Sequence, residues 1–224
     1  MVATALSAQD LFREAFESRY TWDEYFPGYQ AQVTYCPSGC DQGPSFQGQV
    51  SIDQQMKISV TGIEDDSARQ SVREQMWEIM VHRVRHSFDQ EHGNHTFSYG
   101  DPQEDGKVEV LVQGLSATDR YWVKDRHIQM VHRHFHDRVI TILVQKFYDA
   151  GEGYLPIHYT AEYQDLNSGA KLGSMLVYED QYRRFGNYWI PIKRKIWRED
   201  SEGTRSEPEV FQFSEIRLIS EQGE

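Results

Sequence analysis

Residues 127–148 read "HIQMVHRHFHDRVITILVQKFY", two runs of alternating apolar and polar side chains around a short polar turn. Successive side chains of an extended chain point to opposite faces, so each run predicts a strand with one apolar face. The intervening His136 and Asp137 predict the turn. Two strands joined this closely pair antiparallel, because a parallel pair needs a long crossover connection. The segment therefore predicts an antiparallel sheet.

The same alternation recurs on both sides of this hairpin. Upstream it appears in "YQAQVTY", "FQGQVSID" and "QMKISVTGI", and downstream in "IHYTAEYQDL", "GSMLVYED", "YWIPIKRKIW" and "VFQFSEIRLI". Gly, Asp or Asn stands at nearly every break, and no linker or repeat divides the chain. We predict one α+β domain over residues 1–224: a large curved antiparallel sheet, a half-barrel, with two helices packed on its concave face.

Two segments interrupt the strand pattern with helical spacing. The first begins at a capping box formed by Ser7 and Asp10, and Leu11, Phe12, Ala15 and Phe16 follow as an apolar stripe. The second is predicted from Asp66 to Phe88. Its apolar residues recur every four positions, which predicts that the stripe faces the sheet and that Glu78 and His82 face water. This stripe consists of Val72, Met76, Met80, Val84 and Phe88.

Composition excludes several classes of protein. A formal net charge of −12 argues against general affinity for nucleic acid or anionic lipid. The run "YRRFGNYWIPIKRKIWR" mixes basic and aromatic residues, yet strand alternation separates Lys193 and Lys195 from Arg194. No apolar run approaches a transmembrane segment, and "MVATALSAQDLF" lacks the features of a secretory signal. The expected location is cytoplasmic. Cys36 and Cys40 are interpreted as incidental loop thiols, and alternatively as a reversible disulfide or as ligands of a metal completed by distant histidines.

Two resemblances follow from these segments. The order of a helix, a long antiparallel meander and one interrupting helix resembles the lipoprotein-carrier group of folds, which are unclosed β-barrels whose helices fill a concave apolar face. In addition, three segments resemble an uncharacterised family of cyanobacteria and plastids, which implies no established activity. They are "HRVRHSFDQEHGNHTFSYGD" (82–101), "GEGYLPIHYTAEYQD" (151–165) and "YRRFGNYWIPIKRKIW" (182–197).

Histidines and arginines supply the candidate polar sites. His132, His134 and His136 alternate on one strand, but a turn at His136 removes the third, and two imidazoles alone do not complete a zinc site. Glu78, His82 and His86 share a helix face, yet the order differs from the H-E-x-x-H metalloprotease motif. Arg73 and Arg83 lie beside the apolar stripe. They are interpreted as snorkelling or as paired with Glu162 or Asp165, and alternatively as an anion clamp.

The aromatic-rich meander favours a non-enzymatic binding protein for an apolar or amphipathic, lipid-like small molecule. No catalytic residue, metal ligand or cofactor is assigned. The first alternative is a metal-dependent enzyme that uses His132 and His134 with His158 or His95. The second is an assembly factor for a photosynthetic complex, which rests on the family resemblance alone. The predicted ligand-binding residues are Trp77, Arg83, Tyr159, Tyr163 and Trp189.

Overall fold

The computed structural model describes residues 6–41, 43–114 and 118–219. It contains three α-helices and twelve strands, with a short 3-10 turn at Glu104–Gly106. The helices are α1 (Ala8–Glu17), α2 (Asp66–Val81) and α3 (Phe88–His92). The strands are β1 (Gly28–Cys36), β2 (Phe46–Asp53), β3 (Ile58–Thr61), β4 (Thr96–Pro102), β5 (Val108–Gln113), β6 (Thr118–Lys124), β7 (His127–Phe135), β8 (Arg138–Asp149), β9 (Tyr154–Asp165), β10 (Met175–Phe185), β11 (Tyr188–Glu199) and β12 (Glu209–Leu218).

All twelve strands belong to one antiparallel sheet in the order β3-β2-β1-β12-β11-β10-β9-β8-β7-β6-β5-β4. Every neighbour is consecutive in sequence except β1 and β12, which brings the first strand beside the last. The predicted α+β class with a large, unclosed antiparallel sheet is confirmed. The opening hairpin is also confirmed, since β7 ends at Phe135, β8 begins at Arg138, and His136 takes the positive φ of a turn. Within the described ranges, no helix is both long enough and apolar enough to cross a membrane.

The chain divides into two compact units, which we describe separately. Unit 1 comprises Met1–Tyr20, His86–Val177 and Glu199–Gly203. Unit 2 comprises Thr21–Arg85, Tyr178–Arg198 and Thr204–Glu224. Unit 1 therefore holds α1, α3 and β4–β9, and unit 2 holds α2, β1–β3 and β12.

The core of unit 1 forms where α1 and α3 meet the sheet. Ser7 caps α1 by accepting a hydrogen bond from the backbone of Asp10, as predicted. Phe12 packs against Phe88 and Tyr121, with ring centroids 6.1 Å and 4.6 Å away. Aromatic pairs at such distances add to the hydrophobic stabilisation from burial. The buried members of this core are Ala8, Phe12, Ala15, Phe16, Phe88, Val110, Val112, Tyr121, Val123 and Ile128.

Helix α2 buries a different set of residues from the one predicted. Its buried side chains are Ala68, Val72, Met76 and Ile79, whereas Met80 is only half-buried. A strict four-residue step drifts by about 40° around the helix, so a three-residue step to Ile79 is needed to return to the buried face. The prediction that Met80 continues the stripe was therefore wrong.

The predicted extent of the second helix was also too long. Helix α2 ends at Val81, and a new helix, α3, begins at Phe88. Ser87 caps α3: its hydroxyl accepts a hydrogen bond from the backbone of Gln90, and its backbone N–H donates to the side-chain oxygen of Gln90, which completes a capping box. The side-chain spacing continues through this break by chance. Phe88 accordingly packs in the core of unit 1 instead of extending the stripe of α2.

The two cysteines are paired, in contrast to the interpretation as incidental thiols. Cys36 and Cys40 form a disulfide across a four-residue separation, with Cα atoms 5.2 Å apart. Cys36 is buried at the end of β1 and Cys40 is exposed. The enclosed turn is also fixed by the backbone of Gly39, which donates a hydrogen bond to the carbonyl of Pro208.

Candidate functional site

The five predicted ligand-binding residues fall in both units. Trp77, Arg83 and Trp189 belong to unit 2, and Tyr159 and Tyr163 to unit 1. Trp189 is half-buried, and its backbone carbonyl accepts a hydrogen bond from the indole of Trp22 at 3.2 Å.

Trp77 lies in an open groove of unit 2, between α2 and the turn that leads into β3. Its side chain is 54% exposed, which is unusual for the largest apolar side chain. The groove has a volume of about 370 Å³. We call it the Trp77 groove, and it is lined by Met56, Ile58, Gln70, Arg73, Glu74, Trp77 and Met80. Four of these side chains are apolar, so the groove presents an apolar floor with polar groups beside it.

The position of Trp77 follows from the helical register of α2. Met76 and Ile79 point into the core, so Trp77 and Met80, one position further in each case, project along the edge of the buried face. The core below the helix is filled by fully buried side chains that include Trp22, Tyr29 and Met76. Tyr29 even contacts the sulfur of Met76 through its hydroxyl, at 3.9 Å. A ligand at α2 is therefore accommodated at the groove and not beneath the helix.

Arg83 is buried, with 7% of its surface exposed, and among the described residues it has no ion pair with Glu162 or Asp165, which was one interpretation of the sequence. Its terminal nitrogens donate to the carbonyl of His82 and to the hydroxyl of Tyr182, both at 2.9 Å. Tyr182 in turn donates to Asp180 at 3.3 Å, and burial raises the pKa of Tyr182. Because neutral groups hold both ends of the guanidinium, Arg83 acts as a structural connection in unit 2.

The sequence prediction missed a buried ion pair between Arg194 and Asp180. The guanidinium donates twice to the carboxylate, at 2.8 Å and 2.7 Å, and both side chains are almost fully buried. Arg194 also donates to Gln75 at 3.0 Å and lies 3.3 Å from Glu78, so it binds α2 to the strands. Burial raises the pKa of Glu78. The expectation that Glu78 faces water was wrong.

This ion pair did leave a signal in the sequence. Arg194 shares its strand alternation with three isoleucines, and Asp180 shares its alternation with two tyrosines. A charged residue among apolar ones on a single strand face indicates a buried charge, which requires a partner. Each position alone indicates a buried charge that needs a partner, and the opposite charges of Arg194 and Asp180 indicate that they pair with each other.

Tyr159 and Tyr163 lie on a half-buried apolar face of unit 1. Cross-strand pairing aligns Tyr121, Val131, Ile142 and Ala161 in one row, and Ile140 with Tyr163 in the next. Paired residues of an antiparallel sheet point to the same side, so this face continues the one that α1 and α3 cover. Its side chains beyond the core remain half-buried: Val131, Ile140, Ile142, Val144, Tyr159 and Tyr163.

Four histidines of unit 1 lie beside polar groups. His132 Nδ1 lies 2.9 Å from the hydroxyl of Thr141, and His134 Nδ1 lies 3.1 Å from Asp119. His136 leaves the row at the turn, as predicted. His95 and His92 approach each other through their Nδ1 atoms at 3.0 Å, and burial lowers the pKa of His92 to about 4. In the part of the chain that the structure describes, no group of three or more His, Cys, Asp or Glu is arranged to hold a metal ion.

Three solved structures match this chain over most of its length with low similarity. A LolA superfamily protein from Nitrosomonas europaea shares 11% identity, with 96% of this chain and 95% of that chain covered and a TM-score of 0.36. A domain assigned to an outer membrane lipoprotein-sorting protein of Vibrio parahaemolyticus shares 9% identity, with 97% and 94% covered and a TM-score of 0.36. A DUF1329 family protein from Desulfovibrio piger shares 8% identity, with 96% and 93% covered and a TM-score of 0.30. Likenesses of this degree do not assign a ligand or an activity to this chain.

No curated protein matches the chain at a significant level. A family model does match it, over residues 3–219, which is nearly the entire sequence. The description of that model is a protein of unknown function, DUF3386. A match over this length decides membership, and the chain belongs to the DUF3386 family.

Proposed function

We propose that this protein is a non-enzymatic binding protein for a lipid-like amphipathic small molecule whose apolar part occupies the Trp77 groove. The observation that carries the proposal is the exposure of Trp77 inside a concave, mainly apolar surface. Exposed apolar side chains that are contiguous and concave mark binding sites more often than scattered ones do.

The volume of the groove supports a small ligand. Small-molecule pockets occupy about 300–1,000 Å³, and the Trp77 groove, at about 370 Å³, lies near the lower end of this range. A single apolar chain therefore fits it better than a lipid with two chains. Burial of Trp77, Met56, Ile58 and Met80 against such a chain removes apolar surface from water, at about 25 cal/mol per Å².

Arg73 supports an anionic head group on the ligand. This exposed arginine lines the groove, and within the described residues it contacts no carboxylate. Its one hydrogen bond is long, 3.5 Å to the carbonyl of Ile58. The neighbouring Glu74 is occupied by the side-chain amide of Gln70 at 2.8 Å. A carboxylate or phosphate at the rim would therefore gain a charge-assisted hydrogen bond without displacing an existing ion pair.

The groove lining also favours binding over catalysis. Its polar side chains are those of Gln70, Arg73 and Glu74, and none of them is a nucleophile held by a neighbouring base. The proposal accordingly assigns no catalytic residue.

A quenching experiment tests this function. A stearic acid brominated at mid-chain is titrated into the protein, and tryptophan fluorescence is followed. We expect saturable quenching, which Trp77→Leu removes in large part because the other tryptophans lie elsewhere in the fold. Arg73→Gln should weaken binding of the fatty acid about tenfold, the loss of one charge-assisted hydrogen bond. Arg73→Gln should leave binding of the uncharged octadecanol unchanged.

Tyr25→Ala provides the matched control. Tyr25 is a 75% exposed aromatic residue of unit 2 outside the groove, so its removal should not change quenching. Absence of saturable quenching in the wild-type protein, or equal quenching in Trp77→Leu, would contradict the proposal. Equal loss in Tyr25→Ala would point to nonspecific adsorption instead.

A further inference from the structure

A second groove of unit 2 lies across four strands, and it is polar. Its volume is about 330 Å³. Strand β12 supplies Glu215 and Arg217, and β1, β2 and β3 supply the remaining residues. We call it the polar groove, and it is lined by Gln30, Ala31, Gln32, Gln49, Val50, Ser51, Ser59, Thr61, Glu215 and Arg217.

The strand register places its polar side chains in two rows. Arg217 pairs with Gln30, Gln30 with Ser51, and Ser51 with Ser59. Two positions along, Gln32 pairs with Gln49, and Gln49 with Thr61. Residues paired in this way point to the same side of the sheet, within reach of one another. The groove is therefore a grid of amides, hydroxyls and one guanidinium.

A β-bulge lies between these rows. The register of β1 and β12 shifts between Gln30 and Gln32, and two residues of β12 there oppose the single residue Ala31. Glu215 is one of them and has a positive φ of 50°. A side chain with a Cβ pays a cost for this left-handed conformation. Bulges recur beside functional sites, where they redirect a side chain, and Glu215 lines the groove.

The polar side chains of this groove have no partners of their own. Within the described residues, none of the eight makes a side-chain hydrogen bond or an ion pair with the protein. Glu215 and Arg217 share the groove and are not paired with each other. The groove therefore offers a free carboxylate and a free guanidinium together with unused amide and hydroxyl groups.

We propose that the polar groove binds a small zwitterion, with its ammonium on Glu215 and its phosphate or carboxylate on Arg217. A carboxylate binds cations and a guanidinium binds anions, so a ligand with both charges uses both groups. The glutamine, serine and threonine side chains supply hydrogen bonds along its length. No aromatic ring lines the groove, which disfavours a sugar that needs a stacking surface. This site is separate from the Trp77 groove in residues and in chemistry.

A titration of isotope-labelled protein tests the site, with amide resonances as the readout. Phosphoethanolamine carries both charges, and ethanolamine and inorganic phosphate carry one each. We expect saturable shifts for residues of the polar groove with phosphoethanolamine, and affinity at least about tenfold lower for either single-charge probe. Cosedimentation with vesicles of phosphatidylethanolamine determines whether the same head group is also bound when it belongs to a lipid.

Variants complete the test. Glu215→Gln and Arg217→Gln should each weaken phosphoethanolamine binding about tenfold or more, because each removes one charged contact. Glu64→Gln, which changes an exposed carboxylate of unit 2 outside the groove, should bind like the wild type. The proposal would be overturned if phosphoethanolamine binding did not saturate or if both groove variants kept the wild-type affinity. It would also be overturned if maltose, an uncharged sugar, bound more tightly than phosphoethanolamine. Fatty-acid binding to the Trp77 groove should be unaffected by these variants, so the two sites can fail independently.

Discussion

The two grooves of unit 2 share one strand and have opposite chemistry. Strand β3 contributes Ile58 to the Trp77 groove, and Ser59 and Thr61 to the polar groove. Ile58 pairs with buried Ile52, and Ser59 pairs with Ser51. The side chains of these adjacent β3 residues therefore point to opposite faces of the sheet. A single step along a strand thus separates an apolar surface from a polar one.

The two grooves are built from different elements. At the Trp77 groove, a helix forms one wall, and side chains on the edge of its buried face line the space. At the polar groove, the described lining residues all belong to strands, and a bulge lies where two of these strands pair. The first groove therefore depends on how α2 is held, and the second depends on strand register. Substitutions that affect ligand binding at one groove and leave the other groove unchanged test this difference.

The largest expected effect is on the attachment of α2. In Asp180→Ala, the buried guanidinium of Arg194 loses the carboxylate that accepts two of its hydrogen bonds and keeps that of Glu78, which costs about 3–5 kcal/mol. Because Arg194 also holds Gln75 and Glu78 of α2, we expect fatty-acid quenching to fall with stability. Chemical denaturation measures the first effect and brominated stearic acid the second.

The double variant Asp180→Leu/Arg194→Met provides the control, because it replaces the pair by apolar side chains. It should recover most of the lost stability, since an apolar pair often replaces a buried ion pair without loss. If the single and double variants were destabilised equally, altered packing and not the buried charge of Arg194 would account for the loss of stability.

The next largest effect is the difference in stability loss between a core residue, Met76, and a residue that lines the Trp77 groove, Met80. Met76→Ala should cost about 2–5 kcal/mol because Met76 is fully buried. Met80→Ala should cost about 1 kcal/mol, because Met80 is half-buried at the groove, and it should weaken quenching. Denaturation of the two variants side by side gives the comparison. Equal costs would place Met80 in the core, as the four-residue stripe had predicted.

The smallest expected effect concerns the bulge. Glu215→Gly removes the strain of a side chain at positive φ and should stabilise the protein by about 1 kcal/mol. The same variant should weaken phosphoethanolamine binding about tenfold or more, because it lacks the carboxylate. Thermal denaturation and the resonance titration together give both readouts. A destabilised Glu215→Gly would show that the side chain, and not the backbone conformation, maintains the bulge.

These contrasts also show how much of the fold the sequence predicts. Alternation identified the strands and the hairpin at His136, because the period of a strand is a local property. The end of α2 at Val81 escaped prediction, since the spacing of Val84 and Phe88 continues across a break that depends on the cap at Ser87. The disulfide between Cys36 and Cys40 was not the favoured interpretation either, because the number of cysteines gives no information about the turn that brings them together.

The candidate sites were harder to predict than the strands. Trp77 was among the predicted ligand-binding residues, but its groove also includes Met56 and Ile58 from another segment. The polar groove was missed because Gln30 and Gln32 have the ordinary pattern of a solvent-facing strand. Their significance depends on the register with Arg217, which lies nearly at the other end of the chain. Arg194 is the exception, since its place among isoleucines was visible in the sequence.

The pairing of β1 with β12 has a consequence for the synthesis of the protein. Strands β4–β9 follow one another in space and in sequence, so each can join its neighbour soon after it leaves the ribosome. Strand β1 finds its partner only when Glu209–Leu218 has been made. At about 5–20 residues per second, this wait lasts roughly nine to thirty-six seconds. During that time the edge of β1 is unpaired and requires protection from other chains, so nascent unit 2 is the part on which a chaperone would act.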